Sequence, residues 1–76
     1  MIPTPAQIRA ARVLLELQQT ELASKAGLSV RTLVVVEQGK GAEASHEKVV
    51  AALNSEGIVF GGSPDGRSLS VQLRRP

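Results

Sequence analysis

The sequence predicts a mainly α fold, four helices followed by a C-terminal β-hairpin, and three observations carry that prediction. Residues 19–39, QTELASKAGLSVRTLVVVEQG, read as two short helices around a glycine turn. Apolar residues recur at helical spacing before and after that segment, at Ile8, Ala11 and Leu14 or Leu15, and again at Val49, Val50 and Leu53. Beyond Gly57 the period changes to two: Ser68-Leu69-Ser70-Val71-Gln72-Leu73 alternates strictly.

Thr4-Pro5-Ala6-Gln7 is a helix start, with Thr as N-cap, Pro in the first turn and Gln placed to reach back to the cap. The apolar period then predicts a first helix running to Leu17. A second helix is expected over 19–26, stopped by Gly27, and a third over 30–38, capped by Ser29 and stopped by Gly39. After the loop Lys40-Gly41-Ala42-Glu43-Ala44, Ser45 is the expected N-cap of a fourth helix that ends at Gly57. Ile58-Val59-Phe60 is short and β-prone, and Gly61-Gly62-Ser63-Pro64-Asp65-Gly66 is a run of turn residues. The division expected is a helical unit, 1–57, and a hairpin, 58–76. A two-stranded ribbon is barely stable in water, so it must lie on the helices or pair with a second copy.

Seventy-six residues allow one small domain, which buries only about 60% of the surface of its extended chain. Such a chain is marginal alone, and a partner subunit is a reasonable expectation. There is no cysteine, so no disulfide framework or thiolate metal site is expected, which fits a cytoplasmic setting. The single histidine, His46, has no carboxylates at ligand spacing on both sides and reads as an inert surface residue; neither a metal nor a cofactor is expected. No apolar run approaches the roughly 20 residues of a membrane span, and the N-terminus lacks a signal pattern. Nine Lys/Arg against seven Asp/Glu give a net charge of +2, compatible with nucleic acid without demanding it. Phe60 is the one aromatic residue, which excludes a stacking platform for single strands.

The glycine turn between the second and third helices makes a helix-turn-helix, a short device for placing a helix in a DNA groove. Three segments, Q-x-x-L-A-x-x-A-G-L-S at 19–29, T-L-x-x-V-E-x-G at 32–39 and the amphipathic helix ending at Gly57, resemble the Cro/CI-type (XRE) helix-turn-helix family. The resemblance spans roughly residues 5–56 and implies a four-helix, repressor-like DNA-binding domain. The tail, G-I-V-F followed by a Gly-rich turn and a V-x-L-R strand, looks like a subgroup of very short bacterial members with a C-terminal β-element. One departure is Gln18, standing where the family often caps the second helix with Ser or Thr.

With Leu33 pointing to the core and about 100° per residue, Val36 and Glu37 flank the core direction. Arg31, Val34, Val35 and Gln38 then point away from it. Arg31 is a candidate for a guanine edge or a phosphate. Val34 and Val35 either touch thymine methyl groups or pack on the hairpin or a partner. Val30 reaches a base edge by family analogy or packs across the turn. The resemblance assigns Gln19, first in its helix, to a DNA phosphate, where free N–H groups and the helix dipole favour an anion. Thr32, Gln38 and Lys40 complete the phosphate or mixed set. The resemblance also pairs Arg12 with Glu37 as an ion pair between helices. Ile58, Phe60, Leu69, Val71 and Leu73 are the candidate dimerisation residues.

These assignments lead to a sequence-specific regulator of double-stranded DNA, a homodimer on a palindromic site that represses by occupancy. The competing expectation is a protein-interaction module, such as an anti-activator or the antitoxin of a toxin pair. An enzyme is disfavoured: there is no Ser/His/Asp set and no phosphate loop, and the glycines at 61–62 precede no helix.

Overall fold

Thr4 closes both halves of a capping box at the start of α1 (Pro5–Leu14): its hydroxyl accepts from the Gln7 N–H at 3.2 Å, and the Gln7 Oε1 accepts from the Thr4 N–H at 2.9 Å. The computed structural model describes residues 2–75. It continues through α2 (Gln19–Ala26), α3 (Val30–Glu37) and α4 (Glu43–Ser55) into an antiparallel hairpin of β1 (Ile58–Gly62) and β2 (Leu69–Leu73). The mainly helical class with a terminal hairpin is therefore the fold. Among the described residues no helix is long and apolar enough to cross a membrane.

Two boundaries differ from the sequence reading by three residues, and α3 and α4 end one and two residues early, at Glu37 and Ser55. α1 ends at Leu14, not Leu17, because Glu16 turns left-handed at φ 58°. The Leu17 N–H then bonds the Arg12 carbonyl at 3.1 Å and the Glu16 N–H bonds that of Val13 at 2.9 Å, closing the helix end as a glycine usually does. The same bonding pattern ends α2 at Gly27 and α3 at Gly39, where glycine announces it. α4 starts at Glu43 behind Ala42, not behind Ser45; no side chain caps it, and Glu43 supplies negative charge to its first turn.

Each helix contributes one buried stripe. Ile8, Leu22, Leu33, Val36, Val49 and Leu53 are fully enclosed, each contributing roughly 1.5–3 kcal/mol by leaving water. Ile58 of β1 belongs to the same core, and Phe60, Val71 and Leu73 pack against it. Of the two alternatives for the ribbon, the structure shows the first: it lies on the chain's own helices. The register pairs Ile58 with Leu73 and Phe60 with Val71, so the four share one face, and the chain's own helices cover it. Leu69, opposite Gly62 near the hairpin tip, lies beyond that cover and stays exposed.

Gln7 fastens the hairpin to the helices. The residue is only 3% exposed, and its Nε2 donates to the carbonyls of Gly61 and Ser70, each at 3.0 Å. Among the described residues no buried side-chain polar atom lacks a partner, as a small core requires. Gly57 is obligatory at the entry to β1: its φ is 101°, and a Cβ there would lie 2.3 Å from the Arg74 carbonyl oxygen.

Candidate nucleic-acid interface

Ala23-Ser24-Lys25-Ala26-Gly27 brings α2 to its end, and Gly27 at φ 71° turns the chain toward Ser29. Ser29 starts α3: its Oγ accepts the Thr32 N–H at 3.1 Å and donates to the Thr32 Oγ1 at 2.9 Å. The Thr32 hydroxyl keeps its own proton free to donate outward. α3 buries Leu33, Val36 and Glu37 and is thereby held against the rest of the domain by one face.

Arg31 is exposed, and among the described residues its side chain makes no hydrogen bond or ion pair. Val30 is 38% exposed. Gln38 and Lys40 are exposed just past the end of the helix. Val34 and Val35 are half-buried rather than projecting freely. The loop after α3 folds back over Val35: a Cβ on Gly41 would come within 3.1 Å of its Cγ1. Of the base-reading set, Arg31 and Val30 stand clear of the surface, and the two valines present only part of their methyl surface.

Glu37 is the hub behind this face. Its carboxylate, 3% exposed with the residue, takes a fork from Arg12: Nε to Oε2 at 2.7 Å and Nη2 to Oε1 at 3.2 Å. Gln19 donates its Nε2 to the same Oε1 at 3.1 Å. One Gln19 N–H is thus committed inward, leaving the second N–H and the amide oxygen for the outside. The Glu37 carbonyl accepts from Arg9, and Arg12 Nη1 reaches the Leu17 carbonyl at 3.2 Å.

An open recess of about 340 Å³ lies where α2 begins, lined by Arg12, Gln18, Gln19, Thr20 and Val30. Its lining combines the first residues of α2, a partly exposed guanidinium and two side-chain amides, and a helix start with such groups suits an anion such as phosphate. The Glu21 carboxylate accepts the Gln18 N–H at 2.8 Å, so the weak cap is supported from inside the helix. Sequence reasoning missed Gln18, Thr20 and Arg12 as walls of this recess. The available signal was that Gln18 and Thr20 flank Gln19 in the sequence, and that Arg12 was already assigned to Glu37. His46 has a structural partner instead: its Nε2 lies 3.1 Å from the Pro3 carbonyl oxygen.

A family model described as helix-turn-helix matches residues 8–54, more than half of the chain. No curated protein matches it. The matched span runs from the core face of α1 to the end of α4 and contains the glycine turn, the exposed face of α3 and the recess at α2. The chain belongs to the Cro/CI-type (XRE) helix-turn-helix family, and is a DNA-binding transcription regulator.

Proposed function

We propose that the protein is a sequence-specific regulator that binds double-stranded DNA as a homodimer at a palindromic site and represses by occupying it. The reading rests on Arg31, a cation on the exposed face of α3 with no partner among the described residues, and on the polar recess at the start of α2, whose lining includes the adjacent Val30. Val30, Arg31 and the accessible parts of Val34 and Val35 read base edges. Gln19, Thr32, Gln38 and Lys40 hold phosphates, and these fix register without carrying sequence information. A two-fold dimer sets its α3 helices about 34 Å apart, one turn of duplex.

Selecting random duplexes with the purified protein tests the whole reading. The expected product is a symmetric motif with half-sites one turn apart; an asymmetric motif or no enrichment overturns it. Arg31→Ala separates the roles: a base reader relaxes preference at particular positions, and a phosphate contact weakens all sites alike.

A protein partner is the second reading, favoured by an open recess of about 760 Å³ whose walls include Ile2, Pro5, Val36 and Val50. Binding to duplex DNA that falls steeply with salt supports the first reading, because each phosphate contact releases counterions. Salt-insensitive or absent binding favours the second.

A further inference from the structure

The free edge of β2 carries a self-complementary pattern. The Arg74 N–H bonds the Gly57 carbonyl and the Ser63 N–H bonds that of Ser68, both at 2.8 Å. Antiparallel ladders alternate between pairs that exchange hydrogen bonds and pairs that do not. With the observed register, the pairs 59/72 and 61/70 bond inward, so Leu69, Val71 and Leu73 turn their N–H and C=O groups outward. The strand is Leu-Ser-Val-Gln-Leu, apolar at both ends and centre, and symmetric in polarity about Val71. It holds no proline and no charge, the usual devices that keep an edge from pairing.

Helix α1 adds to the same side. It packs over β2, and α4 packs over β1. At about 100° per residue, Ala6, Ala10 and Val13 lie on the side opposite Ile8, Ala11 and Leu15, and Leu14 lies toward the sheet with Gln7. All four are exposed, Val13 at 64% and Leu14 at 45%, and Leu69 at the strand end is 47% exposed. Large exposed apolar side chains on the helix packed over an unpaired edge, and on that edge itself, mark an interaction surface.

We infer that this surface, the β2 edge with the outer face of α1, docks a second copy of the chain through a two-fold axis at Val71. The inference rests on the homodimer reading and names its interface. Val71 faces Val71 of the partner subunit, and Leu69 faces the partner's Leu73, so every outward backbone group on the edge is paired. The two hairpins become one four-stranded sheet, and each α1 lies beside its copy on the same face of that sheet. Alanines at 6 and 10 let the helices approach closely. No charged side chain lies between Leu69 and Leu73 to repel the copy, and α3 takes no part.

Sedimentation equilibrium of the full chain, alone and on duplex DNA, tests this with Leu69→Lys and Ala10→Glu, both at exposed positions. A dimeric wild type whose association weakens at least about tenfold in each variant, with helical circular dichroism unchanged, is the expected result. Amide exchange in the wild type is the second measurement. Protection at Leu69, Val71 and Leu73 should rise with protein concentration, since these N–H groups have no ladder partner within the chain. A wild-type dimer that both variants leave intact, with those amides exchanging freely, overturns this interface and spares the homodimer reading. A wild type monomeric both free and on DNA overturns the two together.

Discussion

The Arg12 guanidinium and the Glu37 carboxylate meet across α1 and α3 in a two-pronged contact, Nε to Oε2 at 2.7 Å, with side chains 17% and 4% exposed. Glu37 also accepts from Gln19, so a single carboxylate ties together α1, the start of α2 and the end of α3. Removing one partner of an enclosed pair strands the other charge, at a cost of about 3–5 kcal/mol. Glu37→Ala should therefore lower the urea midpoint sharply, a large loss for a domain whose whole stability is of order 5–15 kcal/mol. An unchanged midpoint would refute the pair's structural role.

Gln7→Leu keeps the bulk of the side chain but removes three hydrogen bonds, one to the Thr4 N–H and two to the carbonyls of Gly61 and Ser70. Groups left unpaired in enclosed surroundings cost about 1–3 kcal/mol each; the carbonyls keep their ladder bonds, so a total of about 2–3 kcal/mol is expected. Thermal melting measures the loss. Amide exchange should show faster opening across both strands as well as at the start of α1; an effect confined to the helix start would contradict the bridging role.

Glu16 occupies a left-handed backbone position, φ 58°, that costs a residue with a Cβ roughly 1–2 kcal/mol. Glu16→Gly should recover part of that, offset by the extra freedom glycine has in the unfolded chain. The expected net gain is about 0.5–1 kcal/mol, or a few degrees in Tm. Gly57→Ala should act oppositely and more strongly, because its added Cβ would collide with the backbone at Arg74. A Tm that falls for Glu16→Gly would refute the strain.

The hairpin turn holds the Asp65 carboxyl below the usual carboxylate range, first through the Ser63 hydroxyl, which donates to Oδ1 at 2.5 Å, and then through the Arg67 N–H at 3.0 Å. A depressed folded value means that its contribution to stability is present above the unfolded value and lost as pH falls through the folded one. Carboxyl-carbon NMR titration should place Asp65 below the ordinary aspartate value, and Ser63→Ala should bring it back up. No change on that substitution would remove the hydroxyl as the main cause.

Much of the fold was legible because its signals are local. Thr4 and Gln7 announce one helix start, Ser29 another, and Gly27 and Gly39 mark two stops by the left-handed backbone they permit. The end of α1 was hidden because Glu16 performs a glycine's task without being one. The start of α4 was hidden because alanine at the N-cap gives no polar signal, so Ser45 drew the boundary inward. At the interface, helical geometry placed Leu33, Val36 and Glu37 inward. It could not see the loop at Gly41 returning over Val35, which is a contact between residues in different elements. The hairpin's inner face was visible as a pattern, but which helices cover it depends on how the chain closes in space.

The reach of Gln7 from the first turn of α1 to both strands means that the two ends of the chain are fastened by one amide. A piece cut after Gly57 would lose Ile58 from the interior and leave two amide hydrogens aimed at nothing. The smallest portable DNA-reading unit in this protein therefore extends past Leu73. Anyone grafting α3 into another regulator must move the ribbon with it.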